Sequence, residues 1–173
     1  MKILNTISGK TTTFLLALVS ILGLSQVNAV NIKYGDTLRL TMPKDGVDYQ
    51  LHSHAINYYH QGTSGQQQVS AWKFQDNNDL FIVMGEHGKA DDFKKGEAVK
   101  VGDVITLKHK ETGNKLHSHD THQAPKNAGQ EITCYSGNDG NDNWIVTVRG
   151  KNNGDIWQQD DNVNFKHAAS GVF

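Results

Sequence analysis

The sequence predicts an all-β fold, a β-trefoil whose third repeat is incomplete. Short alternating runs such as Thr37–Leu40 and Val104–Lys108 recur between clusters of Gly, Asn and Asp, and helical periodicity is rare after residue 29. An internal repeat supports the same conclusion. Each copy supplies about four strands, too short to bury an apolar face alone, so the copies must share one core.

Two copies of the repeat are complete in the sequence. They share three anchor segments in the same order: a Leu-His-Ser-His motif, a strand that begins with Gln, and an Asn-Asp segment that leads into an aromatic-Ile-Val strand. Such an ordered recurrence is evidence of repeated architecture. The matched segments are 51–54 with 116–119, 67–70 with 130–133, and 78–83 with 141–146.

A third copy begins near residue 154. Gly96–His109 aligns without a gap with Gly154–His167, 58 residues later, and pairs Val99 with Trp157. The strands that follow in the first two copies are absent after Phe173. The sequence therefore predicts a C-terminal truncation of about 40 residues.

The predicted domain is the trefoil of residues 30–173, with repeats at about 30–95, 96–153 and 154–173. A β-sandwich is the alternative if the third copy is an accident of composition. Strand alternation predicts the core positions. They are Leu38, Leu40, Leu51, Val69, Phe81, Val83, Ile105, Leu107, Leu116, Ile132, Trp144, Val146, Trp157 and Phe165.

Residues 1–29 have the organisation of a cleaved export signal. Lys2 and Lys10 lie in a polar start, an apolar run spans Phe14–Leu24, and the segment ends in Val27-Asn28-Ala29. The apolar run is shorter than the roughly 20 residues that span a bilayer. We expect a secretory-pathway protein without membrane insertion after cleavage: periplasmic or secreted in a bacterium, or in the endoplasmic reticulum lumen of a eukaryote. The long polar start is typical of a bacterial leader.

The charge balance excludes some partners. Without the predicted leader, 15 basic residues face 18 acidic ones, a net charge of −3. Nucleic-acid binding is therefore not expected. Cys134 has no possible intramolecular disulfide partner, and we expect it as a small buried hydrophobe on a strand, with an intermolecular disulfide as the alternative.

Several of these segments resemble a known family. Gly-Asp-x-Ile-x-Leu-x-His at 102–109, Thr-Gly-x-x-Leu-His-Ser-His at 112–119, the Gln strands and Asn-Asp-x-Trp-x-Val at 141–146 resemble the MIR domain, named for mannosyltransferases and the inositol trisphosphate and ryanodine receptors. In length and layout the chain is similar to the stromal-cell-derived-factor-two-like group. The resemblance covers essentially residues 30–173. Phe81 stands where the family usually has Trp.

The resemblance implies a non-catalytic protein without cofactor. It implies binding of glycans, or of glycosylated or unfolded polypeptide, in protein quality control alongside chaperones or in processes related to O-mannosylation. The alternative is an interaction adaptor that docks a chaperone or host protein, in the periplasm or a lumen, and binds no sugar.

Glycan recognition needs an aromatic face and planar polar groups. His54, Tyr58, Tyr59 and Gln67 cluster in the sequence of the first copy. The second copy offers His119, His122 and Gln130, but it lacks the tyrosines. We therefore expect a glycan at the first copy, with ordinary loop packing of Tyr58 and Tyr59 as the alternative.

Other chemistry has weaker support. The pairs His52/His54 and His117/His119 share a strand face and are able to ligate zinc or copper, but their recurrence in each repeat favours structural imidazoles, and we expect no metal. Ser53 and its neighbouring histidines lie on opposite strand faces, which argues against a hydrolase. The runs 76–79 and 138–143 favour tight turns over calcium loops.

Overall fold

The computed structural model describes residues 29–173, so the predicted leader, apart from Ala29, lies outside the described residues. Ten β-strands and three single-turn 3₁₀ helices make up the described fold, which confirms the all-β prediction. The strands are β1 (Thr37–Arg39), β2 (Thr41–Lys44), β3 (Val47–Asn57), β4 (Gln67–Trp72), β5 (Leu80–Gly85), β6 (Val104–His109), β7 (Lys115–Gln123), β8 (Gln130–Tyr135), β9 (Trp144–Val148) and β10 (Val163–His167). The 3₁₀ turns are Asn77–Asp79, Pro125–Asn127 and Gly140–Asp142.

Five strands form a barrel that is open on one side. β1 pairs with β5, β5 with β6, β6 with β9, and β9 with β10, all antiparallel. Within the described chain, β1 and β10 each pair along one edge only. The hairpins β3–β4 and β7–β8 contact each other through the β4–β8 pair. The arrangement is a β-trefoil in which the third repeat contributes the single strand β10.

The strand register repeats from copy to copy. His52 faces Ser70 across β3–β4, and His117 faces Thr133 across β7–β8. A register shift follows Ser53 in one hairpin and Ser118 in the other. These pairs match the sequence alignment of the two copies residue for residue, so the internal repeat is structural.

The third copy follows the same register. Phe165 of β10 faces Val146 of β9, as Leu107 of β6 faces Val83 of β5. The alignment of Gly96–His109 with Gly154–His167 is therefore confirmed in the barrel, and the sandwich alternative is wrong.

Three backbone hydrogen bonds join the three copies in a closed ring. The amide of Ile32 donates to the carbonyl of Trp157 (2.9 Å), that of Trp157 to Val99 (2.9 Å), and that of Val99 to Ile32 (2.9 Å). All three residues are buried. Because each copy provides one donor and one acceptor, the ring exists only when all three copies are in place.

The core agrees with the predicted set at most positions. Eight predicted residues are buried, and five more are half-buried and pack against them; Ile132 is an exception, at 37% exposure. Ile32, Tyr34, Val99, Val101 and Val148 are buried as well and were not predicted. The eight are Phe81, Val83, Ile105, Leu107, Leu116, Trp144, Val146 and Trp157; the five are Leu38, Leu40, Leu51, Val69 and Phe165.

Cys134 lies on β8 and is buried, as expected. Burial in apolar surroundings is the main cause that raises the pKa of its thiol to about 12, against a minor lowering effect of the Ser53 hydroxyl. The thiol therefore stays protonated and poorly nucleophilic at neutral pH.

Truncation of Phe81, which is fully buried, tests the shared core. We expect Phe81→Ala to lower the free energy of unfolding by about 3–5 kcal/mol, because it removes buried apolar surface and leaves a cavity. Ile132→Ala, at the partly exposed position, should cost less than about 1 kcal/mol. Urea denaturation followed by circular dichroism measures both; equal losses would contradict the assignment of the core.

Candidate functional site

A buried histidine–aspartate pair lies at one end of the first repeat. The 3₁₀ turn before β5 is closed by a capping box: the amide of Asn78 donates to Asp76 Oδ1 (2.7 Å), and the amide of Asp76 donates to Asp79 Oδ2 (2.8 Å). Asp79 is fully buried and accepts a hydrogen bond from His52 Nδ1 (2.6 Å). Arg39 Nε lies 3.4 Å from Asp79 Oδ2. The turn thus fixes the carboxylate that orients His52.

The second repeat builds the same arrangement. The amide of Asn141 donates to Asp139 Oδ1 (2.8 Å), and the amide of Asp139 donates to Asp142 Oδ2 (3.1 Å). Asp142 is fully buried and accepts from His117 Nδ1 (2.9 Å). The runs 76–79 and 138–143 are therefore turns, as expected.

The carboxylate partner fixes the tautomer of both histidines. An ionised carboxylate only accepts hydrogen bonds, so Nδ1 of His52 and of His117 carries the proton. Their Nε2 atoms have no hydrogen-bond partner among the described residues. Both histidines are almost entirely enclosed.

The two sites differ in what covers them. Trp72, 42% exposed, stacks over His52 with ring centroids 5.6 Å apart, and Phe74, 58% exposed, meets Trp72 edge-on at 5.7 Å. In the second repeat Tyr135 lies over His117 at 4.8 Å. The first repeat therefore carries an exposed aromatic platform of Trp72 and Phe74.

His109 and His167 tie the barrel strands to the same turns. The carbonyls of Asn78 and Asn141 accept from the Nε2 atoms of His109 (3.0 Å) and His167 (3.1 Å). With Nε2 protonated, Nδ1 accepts from the hydroxyl of Thr112 or Ser170, 2.8 Å in each case. Burial is the main cause that lowers the pKa of both histidines.

Three of the predicted glycan-binding residues serve internal packing. The hydroxyl of Tyr58 donates to the carbonyl of Val69 (2.9 Å), and Gln67 Nε2 donates to Ser53 Oγ (2.7 Å). Gln130 Nε2 donates to Ser118 Oγ (2.6 Å). These donors are engaged within the protein, so their hydrogen bonds are committed to the fold.

The other four predicted residues lie at the surface but do not form one cluster. His54 packs edge-on against His52 at 4.5 Å, so the expectation that these two rings share a face is confirmed. Tyr59 is 83% exposed and stacks against His60. His119 and His122 have ring centroids 6.3 Å apart. Of these four residues, only His54 lies beside the pair of His52 and Asp79 and the platform of Trp72 and Phe74.

Five residues of this site were not predicted from the sequence: Arg39, Trp72, Phe74, Asp76 and Asp79. The repeat offset contained the signal for several of them: Asp76 and Asp79 recur 63 residues later as Asp139 and Asp142, and Trp72 recurs as Tyr135. The recurrence of an aspartate pair beside a histidine motif could have indicated their pairing.

A second candidate surface is the apolar cavity of about 860 Å³ beside the open edge of the barrel. Residues of β1 to β4 and of β7 to β10 line it. The cavity accounts for the partial exposure of core positions such as Leu38, Ile132 and Phe165, because no strand covers them in the described structure. Among residues 29–173, no helix has the length and hydropathy needed to cross a membrane.

The chain is similar in sequence to a family of known domains and to proteins that contain it. The MIR domain model matches residues 32–172. A stromal cell-derived factor 2-like protein of Dictyostelium discoideum is 35% identical over 147 residues, which are 82% of this chain and 66% of that protein. The chain therefore spans about two thirds of that relative's length.

Two solved structures are similar in fold. The crystal structure of the SDF2-like protein from Arabidopsis thaliana superposes with a TM-score of 0.71 at 34% identity and covers 82% of this chain and 76% of that one. The S. cerevisiae protein O-mannosyltransferase Pmt1-Pmt2 complex bound to the sugar donor gives a TM-score of 0.64 at 25% identity, over 83% of this chain and 20% of that one.

The buried neutral histidines make the stability depend on pH. Because the pKa of His167 is lowered in the folded state, His167 binds a proton more readily in the unfolded chain than in the folded protein. His117, His119 and Asp120 are the titratable groups that act on it, and the two histidines also lower its pKa. We expect the free energy of unfolding to fall as the pH drops below about 6.5.

The variant His167→Gln should weaken this dependence, because the amide can bond to Asn141 and Ser170 without titrating. Urea denaturation at a series of pH values between about 7.5 and 5 measures the slope. An identical slope in the variant and the natural protein would show that His167 does not contribute.

Proposed function

The chain belongs to the MIR domain family, and from that premise we propose that it binds glycans, or glycosylated or unfolded polypeptide, without catalysing a reaction and without a cofactor. The similar region of the yeast protein O-mannosyltransferase complex, 20% of the matched chain, belongs to a structure solved with the sugar donor bound. This relationship supports a role with carbohydrate or glycoprotein.

The observation that carries the proposal is the exposed aromatic platform of Trp72 and Phe74. Aromatic faces stack against the apolar side of a sugar ring. His54 and Asp76, both exposed, border the platform and offer hydrogen-bonding groups for hydroxyls. Elsewhere in the first repeat, exposed Tyr59 stacks against the ring of His60.

The site also lacks the features of a hydrolytic centre. Ser53 Oγ donates to the carbonyl of Gln68 (2.8 Å), and Ser118 Oγ donates to that of Glu131 (2.7 Å). Both serines are buried. Neither hydroxyl is bonded to a histidine in the described structure, which supports a binding role over a nucleophilic one.

A protein-interaction adaptor is the second candidate, and the apolar cavity favours it. The cavity lies between β1 and β10, which each have one unpaired edge in residues 29–173. An extended polypeptide with alternate apolar side chains fits such a place, because it pairs with a strand edge and fills the cavity.

We place the protein in a secretory compartment, the endoplasmic reticulum lumen in a eukaryote. Residues 1–29 support this proposal through the export-signal pattern. The net charge of −3 that follows cleavage gives no support for binding nucleic acid.

Binding of mannosides and of glycan arrays tests the leading proposal. We expect saturable binding that Trp72→Ala weakens about two- to tenfold, because one stacked ring contributes about 0.5–1.5 kcal/mol. Tyr59→Ala is the matched control, another exposed aromatic residue of the first repeat, and should leave the affinity unchanged. Titration calorimetry measures both variants.

The two candidate functions give different results. Binding lost in Tyr59→Ala but kept in Trp72→Ala would move the site to the Tyr59 loop. Absence of any sugar binding, with co-purification of one protein partner that free sugar does not displace, would favour the adaptor.

A further inference from the structure

Three potential metal ligands meet beside the aromatic platform. Ligand atoms of His52, His54 and Asp76 lie within 4.8 Å of one another. His54 and Asp76 are exposed, whereas His52 is 2% exposed. The exposed side chains of His54 and Asp76 are therefore free to adjust around His52, which is buried and held in place.

His52 is preset to act as a ligand. Asp79 holds its Nδ1, which leaves the unprotonated Nε2 as the nitrogen with an available lone pair. The one hydrogen bond of the His52 ring within the described chain is the bond at Nδ1. A carboxylate that orients an imidazole from its other nitrogen is the usual outer partner of a metal-bound histidine.

Asp76 also keeps an oxygen available. Its Oδ1 accepts from the amide of Asn78, while Oδ2 has no hydrogen bond among the described residues. Asp76 Oδ1 lies 3.8 Å from His52 Nδ1, the nitrogen that Asp79 holds, and a carboxylate oxygen of Asp76 lies within 4.8 Å of a ring nitrogen of His52. A metal ion bound at Oδ2 would leave the hydrogen bond between Oδ1 and the amide of Asn78, which caps the turn, intact.

The second repeat provides an internal comparison. His119 accepts hydrogen bonds at Nδ1 from the amide of Thr121 (3.2 Å) and lies 3.0 Å from Asp120. The group of potential metal ligands in the second repeat contains one imidazole and two carboxylates: His117, Asp139 and Asp142. Among residues 29–173, two imidazoles and a carboxylate meet in this way in the first repeat and not in the second.

We propose that His52, His54 and Asp76 bind a divalent transition-metal cation, with zinc as the first candidate. Two imidazole nitrogens and one carboxylate oxygen suit zinc, nickel or copper, whereas calcium and magnesium prefer oxygen ligands. Three protein ligands leave a fourth position for water or an exogenous ligand. Arg39, on the far side of Asp79, balances the charge of the orienting carboxylate.

Calorimetric titration of the tag-free, metal-free full chain with zinc chloride tests the proposal without any sugar. We expect saturable binding of one zinc per chain. His54→Ala should weaken it at least about tenfold, whereas His119→Ala should leave it unchanged. Bound cobalt(II) should show the visible absorption of a tetrahedral site, and His54→Ala should lose it.

Asp76→Asn separates ligation from folding. Asn is as good a cap as Asp, so the turn and the urea midpoint should be preserved while zinc binding weakens. If His54→Ala and His119→Ala reduce zinc uptake equally, surface imidazoles bind an adventitious ion only, and the proposal fails. Absence of zinc binding at millimolar concentration also overturns it. His54 and Asp76 belong to both proposed sites, so the sugar test is read through Trp72→Ala, which leaves all three metal ligands in place.

Discussion

The ring of backbone hydrogen bonds among Ile32, Val99 and Trp157 is the constraint on which the structure depends. These amides and carbonyls are buried, and an unpaired buried backbone group costs about 1–3 kcal/mol. No single copy can supply the hydrogen-bond partners of its own buried amide and carbonyl, because each bond runs to another copy. Pairing of the three copies therefore fixes the start of each repeat, and it places the barrel strands so that their apolar side chains share one interior.

The same repetition explains how the site arose. Both complete copies hold a histidine against a buried aspartate, so the inner residues are common to both. The residues that surround this pair differ between the two copies. Phe74 corresponds in the repeat to Gly137, where a Cβ would overlap the ring of Tyr135. The second copy therefore cannot carry the paired aromatic rings without a rearrangement, and the proposed binding site lies in the first copy.

Much of the fold could be predicted because repetition is visible in the sequence. The correspondence of strands between the copies, the turns and the burial of Cys134 follow from aligned anchors and alternation. Val99 and Ile32 were missed as core residues because they lie outside regular strands, where alternation gives no signal. Trp72 was missed as a site residue because its partners, His52 and Asp79, are brought to it by pairing between segments distant in sequence. Tyr58 and Gln67 were chosen by proximity in sequence, which does not reveal that their polar groups bond inward.

Amide hydrogen exchange tests the central claim most directly. If the three copies form one cooperative unit, the amides of Ile32, Val99 and Trp157 exchange only through global unfolding. Their protection should then be equal, and it should match the free energy of unfolding measured by urea. An amide of Trp157 that exchanges much faster than those of Ile32 and Val99 would show that the third copy opens independently and would contradict a shared core.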